Sequence, residues 1–222
     1  SDLLPGCGAM ALAGLSDDDA VALWRSFGVS GTTAQLRRVF ESVENHPLLI
    51  RSLAGEVANH RAAPGDLDAW LTANPEFNPA ALPLATARTH ILAHALQGLA
   101  EPNRRVLHTI AGFRGPAPYP VVRDLHLGPA RACESEADLD RVLSDLEDRG
   151  LLGWDKPANR YDLHPIVRAV VWTTLTTSDR HQVHTDLHHY FDTIPKPTNW
   201  QTVESLDDLG PAIELYRALI GL

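Results

Sequence analysis

Two histidine–proline steps, His46-Pro47 and His164-Pro165, are the residues of this chain whose types and placement best suit binding chemistry. Proline is favoured at the first position of a helix, where its missing N–H removes nothing. Ile166, Val167, Val170, Val171 and Leu175 follow Pro165 at helical spacing, which predicts that His164 stands where a helix begins. Such a place offers free backbone N–H groups and the positive end of a helix dipole, a natural site for an anion. The plainer alternative is that His164 only satisfies the helix start. Pro47 likewise precedes an apolar stripe (Leu49, Leu53, Val57) and reads on its own as a helix-initiating proline. Arg168 lies one helical turn after His164. It is placed to support an anion, although a solvated arginine is the simpler expectation.

Other clusters carry less. His90 and His94 are four residues apart, but Ile91 stands where the H-E-x-x-H pattern needs glutamate. His181, His184, His188 and His189 crowd one helix. No carboxylate or cysteine at a matched spacing completes a zinc set, so surface or interface histidines that titrate near neutrality are expected. Cys7 and Cys133 form neither a disulfide framework nor a zinc knuckle. No G-x-S-x-G elbow marks a hydrolase. There is no G-x-x-x-x-G-K-[ST] loop, no Gly-Lys pair and no strand ending in paired aspartates for magnesium, so the chain alone is not expected to hydrolyse ATP. The reading names no catalytic and no metal residues; its binding candidates are His164 and Pro47.

The elements that must position these residues follow from periodicity. Leu151 to Asp162 reads as strand, turn and strand: an apolar run, then Asp155-Lys156-Pro157-Ala158-Asn159, then alternation through Tyr161 and Leu163. Before it, helices are predicted over 85–99, 102–113, 120–125 and 137–149, with 115–118 as a loop. Three helices, a β-hairpin and a further helix is the order of a winged-helix domain. Upstream, Ser16 caps a helix that Gly28 stops. Helices over 35–43, 47–60 and 66–71 complete a small bundle, and Asn74-Pro75 with Asn78-Pro79 makes a linker. Ser178 is expected to cap a helix to Phe191, and 207–219 to form the last helix. The fold class is mainly α: a helical bundle, a winged helix with one β-hairpin, then the start of an α-helical repeat.

The chain has 222 residues and a net charge of −9. That balance argues against nucleic acid or a membrane surface as partner. No run of eighteen apolar residues exists to span a bilayer, and no secretory leader is visible, so a cytoplasmic protein is expected.

Ordered together, several stretches resemble the NB-ARC type STAND nucleotidases, the switch ATPases of bacterial and plant regulators. Ala11 to Trp24 (ALAGLSDDDAVALW) resembles the junction where the ATPase core enters the first helical (ARC1) domain. Asn45 to Ala54 (NHPLLIRSLA) resembles the G-x-P-L motif, with Asn45 where glycine is usual. Tyr161 to Arg168 (YDLHPIVR) resembles the M-H-D motif of the winged-helix (ARC2) domain, with Leu163 for Met, Pro165 for Asp and His164 kept. The resemblance implies four segments: 1–14 as the tail of a nucleotide-binding core lying before Ser1, 15–76 as an ARC1-like bundle, 77–177 as the winged helix, and 178–222 as the start of a TPR-like array. It implies ADP or ATP as cofactor, with magnesium held only by the absent core. Pro47 would line the adenine pocket and His164 would contact the β-phosphate of ADP. The partners would be the chain's own N-terminal core and C-terminal sensor repeats, with a homo-oligomer on activation.

Two other readings stand beside this one. The first is a helical and winged-helix interaction module without a nucleotide. The second is a DNA-binding regulator that reads the major groove with residues 137–149. Seven carboxylates against two arginines between Glu134 and Arg149 oppose the second, because that surface repels phosphates.

Overall fold

The computed structural model describes residues 14–195, 203, 205 and 207–222. The chain divides into two compact units, Ser1–Ile91 and Leu92–Leu222. Residues 1–13 of the segment read as the tail of an upstream core, and with them the first three residues of the Ala11–Trp24 motif, lie outside the described residues.

The first unit is helical. Helix α1 spans Asp17–Ser26, α2 Thr33–Glu41, α3 Pro47–Ala58 and α4 Leu67–Ala73. Each of α1, α2 and α4 starts on a side-chain cap: Ser16 accepts from the Asp19 N–H, Thr32 from Gln35 and Asp66 from Ala69. Such caps satisfy N–H groups that have no helical partner and contribute about 1 kcal/mol each. The core is aromatic. Trp24 is fully buried against Phe40, ring centres 5.5 Å apart, and its indole N–H donates to the Ser30 carbonyl at 3.0 Å. The stretch expected to be a linker is part of this core. Phe77 is buried edge-on against Trp70 at 4.7 Å and stacks on His90 at 5.4 Å. The Asn-Pro steps on either side advertised a loop, and one aromatic between them was enough to dock it.

Helix α5 (Leu84–Gln97) crosses the boundary between the units. In the second unit, α6 (Glu101–Gly112), α7 (Tyr119–His126) and α8 (Glu136–Asp148) precede strands β2 (Gly153–Asp155) and β3 (Arg160–Asp162). Then come α9 (Pro165–Thr174), α10 (Thr177–Thr193) and α11 (Gly210–Gly221). The predicted loop at 115–118 contains a strand, β1 (Ala117–Pro118), paired antiparallel with β3 through Ala117–Tyr161. The sheet order is therefore β1-β3-β2, one strand more than the single hairpin expected. Pro116 and Pro118 hide β1 from a pattern search, yet proline is tolerated on an edge strand. Strand β2 starts at Gly153, later than the apolar run suggests. Leu151 and Leu152 instead bury behind α8 and donate their N–H groups to the Leu146 carbonyl. The architecture is the mainly helical, winged-helix-containing one expected from the sequence.

Helix α6 is the hub of this unit. Asn103, Val106, Leu107, Thr109 and Ile110 are buried as α6 packs on α7, α8, α9 and α10. Asn103 donates to Asp145 on α8 at 2.7 Å, and Arg149 holds the same carboxylate at 2.9 Å. Helix α10 is capped by Thr176 with Asp179, a capping box two residues ahead of the expected Ser178.

The approach of α10 to α6 is set by Gly112. A Cβ there would lie 2.6 Å from Val183 Cγ1 and 3.0 Å from Leu187 Cδ1. Both neighbours are buried, and valine is stiff at χ1. We expect Gly112→Ala to lower stability by about 1–3 kcal/mol through overpacking, more than the fraction regained in helix propensity. Gly115→Ala, with nothing within 4 Å of its Cβ, is the control and should leave the thermal midpoint unchanged. Equal midpoints for the two variants would refute this account of the α6–α10 contact.

Candidate functional site

The two sequence candidates fall in different units, Pro47 in the first and His164 in the second. Pro47 is the first residue of α3 and is exposed. The loop before it explains the departure at Asn45. Asn45 has φ +51°, the left-handed region that glycine and asparagine tolerate best. Its side-chain amide donates to the Leu15 carbonyl at 3.0 Å and to Asp17 at 2.9 Å. Asparagine thus takes a backbone shape that suits glycine and adds a tie to the entry of α1. Gly14 completes the fit, since a Cβ there would fall 1.8 Å from the Glu44 carbonyl oxygen.

His164 is the N-cap of α9. Its Nδ1 accepts from the Ile166 N–H at 3.3 Å, and the residue is exposed. Leu163 is buried, and Pro165 is the first residue of the helix.

Arg168 departs most from expectation. It is not solvated. One guanidinium nitrogen donates to the Ile110 carbonyl at 3.1 Å, to Ala111 at 3.2 Å and to Phe113. A second pairs with Asp162 on β3 at 2.6 Å. These carbonyls sit at the end of α6, where four have no helical partner and the dipole is negative, so a cation belongs there. Asp162 also accepts from the Leu163 N–H at 2.8 Å. One arginine therefore joins the end of α6, strand β3 and the first turn of α9, the turn that His164 caps.

A cavity of about 750 Å³ opens beside this knot, lined by Phe113, Arg114, Pro165, Arg168, Trp172 and Arg217 among others. His164 is not in its wall. Glu214 faces the arginines. It lies 3.7 Å from Arg217 and accepts from the Arg114 N–H at 3.4 Å, and burial pushes its carboxyl up. The histidines of α10 divide. His184 packs edge-on to Trp172 at 5.3 Å and against Gly221, with burial lowering its pKa. Among the described residues no group of three metal-ligating side chains comes together, and no helix is long and apolar enough to cross a membrane.

Sequence reasoning missed His126, at the end of α7. It is 5% exposed, and burial, then the charges of Arg105 and Arg131, hold its imidazole down at about 4. It borders a second cavity of about 570 Å³ in which three arginines (Arg104, Arg105, Arg131) face three carboxylates (Glu101, Asp179, Asp186). Its only sequence signal was its place on the apolar stripe of α7.

No family model and no curated protein matches this sequence. Among solved structures, the chain is similar to the Signal Transduction ATPase with Numerous Domains (STAND) protein with a tetratricopeptide repeat sensor from Pyrococcus horikoshii. The match has a TM-score of 0.55 and 18% identity over 92% of this chain. This chain spans 25% of the length of that protein. At that identity the likeness is one of fold alone.

Two measurements check this geometry. Arg168→Met leaves the end of α6 and Asp162 without their cation and should cost roughly 2–3 kcal/mol in urea unfolding; a loss under about 0.5 kcal/mol would mean that the knot contributes little. His126 carries a pH dependence. Its folded pKa lies below its unfolded value of 6.5, so the unfolded chain takes up the proton first. That contribution is full above about 6.5 and is lost as the pH falls toward about 4, by at most about 3 kcal/mol. His108 and His184, lowered by burial, act in the same direction, whereas Glu214, raised by burial, acts in the opposite one. His126→Leu should flatten most of the decline in melting temperature between pH 6.5 and 4; an unchanged decline would assign it to other groups.

Proposed function

We propose that this chain is the switch segment of a STAND-type signalling ATPase: a helical bundle and a winged helix that close on ADP in the resting state. The observation that carries this reading is the shared fold with a quarter of a STAND protein that bears a repeat sensor. The order of the NHPLL and YDLHPIVR stretches along the chain supports it. The chain has no phosphate-binding Gly-Lys loop, so nucleotide and magnesium would be held mainly by a core that precedes Ser1. Segments 15–76 and 77–177 would be the two switch domains, and 178–222 would lead into sensor repeats.

The role proposed for His164 follows from its hydrogen bond. With Nδ1 accepting from the Ile166 N–H, the ring proton belongs on Nε2, where it can be donated to a β-phosphate oxygen. The helix start adds its dipole. Pro47, exposed at the start of α3, would contribute an apolar wall for adenine. A ligand on the sensor repeats would favour the open conformer, allow exchange for ATP and release a surface for homo-oligomerisation, a population shift driven by differential contacts. The setting would be cytoplasmic.

A second reading is a docking module with no nucleotide. It is favoured by His164 already capping its own helix. A DNA-reading role has less support, because the first turn of α8 carries Glu136 and Asp138 and the helix continues with Asp140, Asp145, Glu147 and Asp148.

Calorimetry with ADP separates these readings. Binding is expected for a longer gene product that includes a nucleotide-binding core, and not for this chain alone. His164→Ala in the longer product should weaken ADP retention by about tenfold, the loss of one charge-assisted hydrogen bond. Unchanged retention would remove His164 from the site, and absence of binding by the longer product would leave the docking module.

A further inference from the structure

The face of the winged helix that would otherwise meet nucleic acid carries an aromatic pocket. Tyr119, Asp140, Leu143, Glu147, Trp154 and Tyr161 line about 440 Å³ between the start of α7, helix α8 and the hairpin. Asp140, Leu143 and Glu147 fall at three- and four-residue spacings, so they share one face of α8. Trp154 and Tyr161 are paired across β2 and β3 and stack at 5.9 Å with rings 7° apart. Tyr119 lies 6.4 Å from Tyr161, and its hydroxyl donates to Asp140 at 3.2 Å. The indole N–H of Trp154 is held by Asn159 at 3.2 Å. Trp154 nevertheless remains 40% exposed, an unusual position for so large an apolar ring.

Three features point to a cation. Aromatic faces attract positive charge through their quadrupoles, and Lys156 already stands 5.1 Å from the centre of the Trp154 ring. Both charged residues in the lining are carboxylates. Tyr161 is 4% exposed, and its hydroxyl has no hydrogen-bond partner among the described residues. Its oxygen is placed at the wall of the pocket, where it can accept a hydrogen bond. Burial and the nearby carboxylates of Glu147 and Asp140 push its phenol up to about 12, so it stays neutral.

We propose that this pocket receives the guanidinium of an arginine side chain presented by a partner protein. A planar guanidinium stacks on aromatic rings and is less strongly hydrated than an ammonium, and its fork of N–H donors suits carboxylate and phenol oxygens together. The tyrosine bond to Asp140 uses one of about four acceptor positions on that carboxylate. The rest of α8 selects the source. Its acidic surface repels the α-carboxylate of free arginine and the phosphates of nucleic acid alike, but accepts a neutral backbone carrying a positive side chain. The proposal is independent of any nucleotide role.

The test titrates the 222-residue chain with acetyl-Gly-Arg-Gly-amide at low ionic strength and follows the Trp154 indole N–H resonance, assigned by its loss in Trp154→Phe. A saturable shift is expected with this peptide, a weaker one with the lysine peptide and none with the citrulline peptide, which keeps the shape and loses the charge. Asp140→Asn combined with Glu147→Gln should weaken binding by about tenfold or more. Both changes lie outside the buried core, and an unaltered thermal melt confirms the fold. Four results would each overturn the proposal: no shift with the arginine peptide, equal binding of citrulline, unchanged affinity in the folded double variant, or equal binding of the lysine peptide. Free arginine binding as tightly as the peptide would overturn the assignment to a protein partner.

Discussion

The second unit depends on one cation. Helix α6 is surrounded by four other helices, so its C-terminal carbonyls cannot all reach water. Buried carbonyls without partners are costly. Arg168 meets three of them from α9 and uses a second nitrogen for Asp162 on the wing. The same group therefore fixes where α9 starts, how the wing leaves the helical body and what faces the cavity beside Trp172. An ammonium on a flexible stem has no such fork, which is why arginine and lysine are not equivalent here.

Around that knot the winged helix presents surfaces of opposite character. The cavity beside α9 is lined by Arg114, Arg168 and Arg217 together with Asp162, and Glu214 lies beside Arg217. The α8 and hairpin surface is acidic and aromatic. Long-range electrostatics therefore favours anions on the first side and cations on the second. The acidic residues of the second surface lie on α8, the helix that a DNA-reading winged helix would place in the groove.

The first unit shows how one asparagine can serve a turn both through its backbone and through its side chain. Asn45 adopts the positive φ that glycine would take, and its amide secures the loop to Leu15 and Asp17. What matters for Pro47 is the entry angle into α3, and that angle is set by backbone conformation and by the close approach of Gly14 to Glu44.

Helix positions were legible because their causes are local. Ser16, Asp66 and the two histidine–proline steps act within one turn of themselves, and apolar spacing marks the buried faces. Strand β1 was not legible, because two prolines conceal a segment whose pairing partner lies over forty residues away. Thr176 rather than Ser178 caps α10 because its partner Asp179 sits at the matching spacing, a choice between neighbours that periodicity does not resolve. The role of Arg168 was hidden for a stronger reason. Its partners are backbone carbonyls 55 to 58 residues earlier, and every residue has a carbonyl, so no side-chain pattern announces them. His126 and Tyr161 became noteworthy only through the burial that three-dimensional packing imposes. By itself the sequence determined the helices, the wing and the histidine at the start of α9, since those rest on neighbours along the chain. Tertiary structure alone decided which charge meets which dipole and which polar atoms lose water, because desolvation belongs to the packed whole.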